Sequence, residues 1–329
     1  MLKIGVLGAG HLGKIHLRLI KEISDYELVG FFDTDDAKAL CAEQELGVRR
    51  FADMDALIDE ADVVDIVTPT LSHFDCAASA IKKSKHVFIE KPLAGTLEEA
   101  HQLIRLAREA GIKAMVGHVE RFNPAFLALN GMALHPMFIE AHRLAQFNPR
   151  GTDVPVVLDL MIHDIDIILS LVKSNVRHIS ASGVAVISKT PDIANARIEF
   201  VNGCVANITS SRISMKQMRK IRLFQKNEYI SMDLLEKTTE IFRLADVTEE
   251  ELQNAFTIDT GVAGEKKTIS YEKVGDPKIN SIKLELEIFN RCIREGSEPK
   301  VSLLDGYKAM QVAYRVLNVI EKNNKGSEQ

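Results

Sequence analysis

Two places in this chain gather residue types that move protons. Asp159 and His163 stand four apart in an otherwise apolar run, 155–172, which also carries Asp164, Asp166 and Ser170. A run of Val, Leu, Ile and Met that dense is buried, and a buried carboxylate destabilises the fold unless it is paired or hydrogen-bonded. On a regular helix, at about 100° per residue, Asp159, His163, Asp166 and Ser170 share one stripe while Asp164 faces elsewhere. An Asp one turn before a His accepts the proton of one ring nitrogen and aims the other, which suits the His to general-base work. A purely structural Asp–His pair is the alternative. A metal site is a weaker one, since no further His or Cys spacing supports it. The second place is Glu90-Lys91-Pro92, delivered at the carboxyl end of the apolar strand Val87-Phe88-Ile89. Such strand ends border the ligand crevice of an open parallel sheet, and Pro92, lacking a ladder N–H, ends the strand. A lysine held there beside a bound dinucleotide hydrogen-bonds a substrate hydroxyl. A lone Lys-Pro is equally what a solvated strand end looks like.

The elements that must position these residues begin with the strand Lys3-Ile4-Gly5-Val6-Leu7, which runs into Gly8-Ala9-Gly10-His11-Leu12-Gly13. Leu12, Ile15, His16, Leu19, Ile20 and Ile23 then recur at helical spacing. Strand, GxGxxG and helix in that order form a dinucleotide fingerprint. Gly8 permits the tight turn, Gly10 lets the backbone approach a pyrophosphate, and Gly13 allows close helix–strand packing. The helix N-terminus, with unpaired N–H groups, receives the anion, and His11 and Leu12 lie in the same turn. A second strand, 27–32, ends at Asp33, about 20 residues past Gly13, where an acid accepts hydrogen bonds from the ribose hydroxyls of NAD. Thr34, Asp35 and Asp36 follow, with no Arg to receive a 2′-phosphate, so the expected cofactor is NAD rather than NADP. The competing role for Asp33 is to cap the helix over 35–46.

Strands at 48–51, 62–67, 87–89 and 112–116 alternate with helices at 54–58, 73–83 and 97–110, the last capped by Thr96 and closed by Gly111. That alternation predicts an α/β fold with a doubly wound parallel sheet, and the fold class carries the strand order 3-2-1-4-5-6 as an expectation. Thr68, Pro69 and His73 follow the fourth strand on the cofactor side, where His73 is either a ligand contact or a helix cap. The alternation stops in His118-Val119-Glu120-Arg121-Phe122-Asn123-Pro124, so the boundary falls at 122. Residues 1–122 form a cofactor-binding domain, and 123–329 a substrate-binding and oligomerisation α/β domain. The latter holds a strand at 136–147, a polar loop at 148–153 and the helix from Pro155. Strands at 178–187, 194–201, 204–213, 218–225, 229–233 and 237–244 then predict a large open, mainly antiparallel sheet. Asn202-Gly203 suits a type I′ hairpin turn. Residues 246–266 read as a polar, mobile excursion, helices at 279–294 and 303–322 follow, and an Asn-Lys-Gly-Ser tail ends the chain. The open sheet face is the expected surface for a dimer partner.

Composition narrows the classes. A chain of 329 residues exceeds one ordinary core. With 46% hydrophobic and 26% charged residues it is globular, and a net charge of −5 without a basic cluster argues against a nucleic-acid surface. Cys41, Cys76, Cys204 and Cys292 are far apart, which favours free thiols in a reducing compartment. No run approaches the roughly 18 apolar residues of a membrane span, and the apolar start reads as a strand rather than a leader. The expected setting is the cytoplasm.

Gly8-Ala9-Gly10-His11-Leu12-Gly13 with His16, Thr68-Pro69 with His73, Glu90-Lys91-Pro92 and Asp159-x-x-x-His163 together resemble the glucose–fructose oxidoreductase/inositol dehydrogenase (Gfo/Idh/MocA) family along essentially the whole chain. Neither Glu-Lys-Pro nor Asp-x-x-x-His is specific alone; the combination is. One departure is Leu160-Met161-Ile162 between the Asp and the His, where a glycine is common. The resemblance implies oxidation of a sugar or cyclitol alcohol by NAD, with Thr68, Pro69, His73 and Glu90 on the cofactor side. It implies that His163 takes the hydroxyl proton, Lys91 hydrogen-bonds the same oxygen and Asp159 orients His163. Residues 118–124 and 159–166 look most like the bacterial nucleotide-sugar members, with the 3-hydroxyl of UDP-N-acetylglucosamine as the specific analogy. Arg121 and Asn123 would then meet substrate, although Arg121 has Glu120 as a competing partner. Some relatives use tightly held NAD to cleave a glycosidic bond without net redox. A dinucleotide-sensing protein on the same fold would not need Lys91, Asp159 and His163.

Overall fold

The computed structural model describes residues 1–148, 154–246, 257–259 and 266–326. β1 (Leu2–Leu7) leads through α1 (His11–Lys21) to β2 (Tyr26–Phe32), α2 (Asp36–Leu46), α3 (Met54–Glu60), β3 (Val63–Ile66), α4 (His73–Lys82), β4 (His86–Glu90), α5 (Leu97–Ala110) and β5 (Ala114–Gly117). Among the described residues these strands form a parallel sheet in the order β2-β1-β3-β4-β5. β3 and β5 are buried at every position and β4 at all but His86, as a sheet covered on both faces requires. The strand predicted at 48–51 is reduced to one parallel bridge, Phe31 to Arg50, outside β2. The reason is room: Gly47 closes α2 in a left-handed turn and Asp53 already caps α3. Counting that bridge as a strand restores the order 3-2-1-4-5-6. Thr96 and Glu99 form a reciprocal capping box on α5, and Gly111 ends it at φ 65°.

The second half runs α6 (Pro124–Leu127), β6 (Phe138–Leu144), a π-helical turn (Val157–Met161), α7 (Ile162–Leu171), β7 (Val176–Val184), β8 (Ile193–Phe200), β9 (Val205–Ser211), β10 (Met218–Gln225), β11 (Glu228–Asp233), β12 (Thr238–Asp246), β13 (Thr257–Asp259), β14 (Lys266–Gly275), α8 (Ser281–Glu295) and α9 (Leu303–Gly326). The described strands form one sheet, β13-β14-β12-β11-β10-β6-β9-β8-β7, in which only β6–β9 is parallel. β14 was not anticipated, because its Lys- and Glu-rich sequence leaves little apolar alternation to read. The β8–β9 hairpin forms, but not through a type I′ turn, which needs two positive φ angles. Gly203 alone supplies one (87°), while the Asn202 side chain accepts the Cys204 N–H. Residues 149–153, 247–256, 260–265 and 327–329, which include most of the predicted polar loops and the tail, lie outside the described residues. No helix among the described residues is long and apolar enough to cross a membrane.

Burial alternates with period two along the large sheet: Ile139, Ala141, Ile221, Leu223, Ile230, Met232 and Ile241 face its packed side. Across the other side runs a row of rings, one per strand, from Phe138 through Phe224, Tyr229 and Phe242 to Tyr271, with centroids 5.9, 5.0, 5.6 and 4.9 Å apart. Arg222–Glu140 and Lys220–Asp233 ion pairs flank that row.

The chain divides into two compact units, residues 1–122 with 280–311 and residues 123–279 with 312–329. In the first, α8 packs its apolar face inward, with Phe289 6.0 Å from Phe88 between ring centroids. The Tyr26 hydroxyl donates to the Leu286 carbonyl and the Asn290 amide to the Asp25 carbonyl.

Candidate active site

At the carboxyl ends of β1 to β4 in the first unit lies a groove of about 420 Å³. The β1–α1 turn contributes Gly8, Gly10, His11 and Leu12 to its walls, and the end of β2 contributes Asp33, Thr34 and Asp35. Thr68, Pro69 and His73 come from beyond β3, and Glu90 and Lys91 from the tip of β4. Gly8 holds φ at +99°, and a Cβ there would sit 2.6 Å from the Val67 carbonyl oxygen. A Cβ on Gly13 would sit 2.0 Å from the Gly8 carbonyl oxygen, so only glycine lets α1 lie against the turn; Gly13 supports the groove without lining it. At Gly10 a Cβ would meet nothing within 4 Å. α1 starts at Gly10 with no side-chain cap, which leaves its leading N–H groups for an anion.

Asp33 accepts the Ala9 N–H at 2.7 Å and the Asp35 N–H at 2.9 Å, one on each carboxylate oxygen. It therefore ties the glycine turn to the entry of α2, and its carboxylate borders the groove. Capping α2 falls to Asp35, whose side chain accepts the Lys38 N–H. Lys38 also borders the groove, with its ammonium 2.8 Å from Asp35; the sequence reading missed it because it lies inside the helix rather than at a strand tip. The glycine cradle, the uncapped helix and the acid fit the pyrophosphate and ribose of a dinucleotide.

His73 is buried, with Nδ1 2.9 Å from the Pro92 carbonyl oxygen and Nε2 2.9 Å from the Thr68 carbonyl oxygen. It thus braces the tip of β3 against the turn after β4, while burial pushes its pKa down. The Lys91-Pro92 bond is cis, and Glu90 Oε2 accepts the Lys91 N–H at 3.1 Å.

In the second unit the uniform helix predicted from Pro155 is instead two pieces. Asp159 lies in the π-helical turn and His163 near the start of α7, both half-buried. Such i→i+5 turns recur at functional sites. Asp164 faces elsewhere, as predicted: Arg143 of β6 donates to it from Nε at 3.0 Å and from Nη2 at 2.8 Å. The two side chains are 2% and 1% exposed, and their fork pins α7 to the sheet one residue from His163. Asp166 is buried as well, and Ser170 Oγ donates to the Ile167 carbonyl.

Arg121, in the first unit, is only 9% exposed. Asn123 begins the second; its Oδ1 accepts the Ala125 N–H as the cap of α6 and its Nδ2 donates to the Leu234 carbonyl. Both amide functions of Asn123 thus have structural partners, an arrangement the sequence did not announce.

Sequence reasoning also missed a buried set of ionisable groups beneath the β4 tip. His16 Nδ1 lies 2.9 Å from Asp65 Oδ2, and Nε2 lies 3.4 Å from Glu90 Oε1. Burial alone would lower the His16 pKa, but the Asp65 charge, the hydrogen bond that Nδ1 makes to Asp65 and the Glu90 carboxyl beside Nε2 outweigh it and push the pKa well above its ordinary value. Burial pushes the Asp65 carboxyl up too, yet the proton between them rests on the more basic imidazole. Glu285 of α8 is fully buried, and burial, then the Glu90 charge, pushes its pKa well up, so it keeps its proton. The available signal was Asp65, a single ionisable residue inside the apolar stretch Val63-Val64-Asp65-Ile66-Val67.

A doubly wound sheet with this glycine turn, an acid at the end of β2 and a Glu-Lys-Pro strand tip is the build of an NAD-binding oxidoreductase. The description "Oxidoreductase family, NAD-binding Rossmann fold" matches residues 2–118 and "GFO/IDH/MocA C-terminal domain" matches 138–228. The chain belongs to the Gfo/Idh/MocA family. It is 39% identical over 242 residues to UDP-N-acetylglucosamine 3-dehydrogenase of Acidithiobacillus ferrooxidans, spanning 73% of this chain and 77% of that one. A solved structure of that enzyme matches with a TM-score of 0.86 at 33% identity, covering 98% of each chain. Myo-inositol 2-dehydrogenase of Thermotoga maritima is 25% identical over 98% of this chain and 97% of its own. Scyllo-inositol dehydrogenase of Lactobacillus casei, solved with NAD(H) and scyllo-inositol, shares the fold at a TM-score of 0.78 and 21% identity, over 98% of each chain. The protein is an NAD-dependent dehydrogenase acting on hydroxyl groups, in a family of sugar and polyol oxidoreductases.

Proposed function

We propose that the enzyme oxidises a secondary hydroxyl of a nucleotide sugar, with the 3-hydroxyl of UDP-N-acetylglucosamine as the leading candidate. The observation that carries this choice is the similarity to a UDP-N-acetylglucosamine 3-dehydrogenase, at 39% identity against 25% for the inositol enzyme. Bound NAD supplies the hydride acceptor. Gly8 and Gly10 admit its pyrophosphate, the N-terminus of α1 receives the negative charge, and Asp33 accepts from the ribose hydroxyls. His163 takes the proton of the substrate hydroxyl, and Asp159 orients His163. Lys91 donates to the same oxygen, which stabilises the negative charge that develops there as the proton leaves. The position of Lys91 on a strand tip lining the cofactor groove supports its part in this scheme.

The test is nicotinamide absorbance after mixing enzyme and NAD with UDP-N-acetylglucosamine, myo-inositol or simple hexoses. Reduction with the nucleotide sugar alone is expected. Reduction with inositol or a hexose alone would overturn the substrate, and bond cleavage without net reduction would move the enzyme to the redox-neutral glycosidase class.

The ring row of Phe138, Phe224, Tyr229, Phe242 and Tyr271 supports the further reading that this open face receives a second copy of the chain, in a homodimer or homotetramer. Light scattering on the gel-filtration peak checks it, and a monomeric mass would overturn it.

A further inference from the structure

The buried ionisable groups of the first unit are unused by the scheme above, yet they reach the lysine at its centre. Asp65 Oδ2 meets His16 Nδ1 at 2.9 Å, His16 Nε2 meets Glu90 Oε1 at 3.4 Å, and Glu90 Oε2 accepts the Lys91 N–H at 3.1 Å. One line of contacts therefore runs from β3 through α1 and the end of β4 to the backbone of Lys91. Gly117 of β5 makes room for it, since a Cβ there would lie 2.7 Å from Glu90 Oε1. The edge of Phe88 closes the apolar side of the His16 ring. Other ionisable groups near the line include Glu285 of α8, Glu120 of the short turn after β5, His73 of α4 and Tyr26 of β2.

We propose that His16, as an imidazolium bridging the carboxylates of Asp65 and Glu90, is a positioning residue that fixes Glu90 and thereby the Lys91 strand tip; the proposal rests on the role given above to Lys91. A ring set between two buried carboxyls, hydrogen-bonded to Asp65 through Nδ1 and in ion-pair contact with Glu90 through Nε2, offsets the repulsion between them and holds Glu90 in place. Without it Glu90 is free to turn, and the Lys91 N–H loses its acceptor. Glu285, whose buried oxygens have no hydrogen-bond partner, adds no charge to the set because it keeps its proton.

The experiment compares His16→Gln, Glu90→Gln, the double variant and Glu285→Gln by melting temperature, kcat and KM for NAD. His16→Gln is expected to lower kcat about tenfold or more with KM for NAD changed less than about threefold. The double variant is expected to lose less, in kcat and in melting temperature, than the two single variants summed, with a residual loss from Asp65, which keeps no partner in it. Losses that add in both would mean simple packing and overturn the proposal. Glu285→Gln is expected to melt no lower than the wild type at pH 7; a large loss would make Glu285 an ionised partner and overturn the charge assignment. The melting temperatures decide the strut without any substrate. A wild type that reduces NAD with none of the sugars therefore counts against the proposed substrate, while a non-additive melting pattern still supports the strut. If His16→Gln does not fold, long-range ¹⁵N spectra of the wild-type imidazoles decide. A His16 ring still doubly protonated at about pH 8, above the ordinary His range, supports the strut, and a single neutral tautomer overturns it.

Discussion

Asp33 shows how much one side chain carries here. Two backbone N–H groups already hold it, so its direction is set before any ribose arrives. Asp33→Ala is expected to weaken NAD about tenfold or more, the scale of a charge-assisted hydrogen bond, while NADP binding falls less. Nicotinamide fluorescence titration measures both, and unchanged NAD affinity would remove the ribose contact. Lys91→Ala and His163→Ala are each expected to cost about 100-fold or more in kcat while NAD still binds; near-wild-type turnover in both would sink their assignment. At this scale Gly8 and Gly13 were legible because each answers a local demand, a positive φ or a close approach. His16, Asp65 and Glu285 were not. Their partners are distant in sequence, 49 residues away in the case of His16 and Asp65.

Elements set the accuracy with which those side chains are held. α7 carries His163, and the Arg143–Asp164 fork is what attaches its first turn to β6. Asp164→Asn leaves a buried guanidinium half-satisfied and is expected to cost about 3–5 kcal/mol, read as a shifted denaturant midpoint. A loss below about 1 kcal/mol would show that the pair is dispensable. The βα alternation of the first unit was readable because each strand ends in turn residues and each helix keeps its stripe. The π-helical turn at Val157–Met161 was not, since an extra residue in one turn leaves no mark on an apolar run. β14 escaped for the opposite reason: a mostly exposed strand has no need of alternation, and its Lys and Glu residues read as loop. Asn202-Gly203 announced a hairpin correctly but not its turn, because the Asn side chain bonded the backbone instead of adopting a positive φ.

For the whole molecule, the buried acids and base fix a direction of pH dependence. His16 is protonated in the folded chain well above 6.5, so its contribution is complete below that pH and is lost as pH rises through the folded value. Glu285 keeps a proton that the unfolded chain releases near 4.5, so stability falls as pH rises from there until the folded value is reached. Both act in the same sense, each by about 1.4 kcal/mol per pH unit between its unfolded and its folded value. Together they are expected to make the melting temperature fall as pH rises from the ordinary range of each group through its raised folded value, with a shallower slope in Glu285→Gln. A flat or rising profile would contradict the two protonation states.

Glu285 belongs to α8, and α8 with residues 280–311 completes the first unit. On the ribosome this means that the glycine turn, Asp33 and Lys91 emerge early but remain without the helix that carries Phe289 against Phe88 and Leu286 against Tyr26. The whole second sheet is synthesised before that helix appears. The nascent cofactor unit therefore waits with part of its apolar interior uncovered, and a chain cut after residue 279 would leave it in that state permanently.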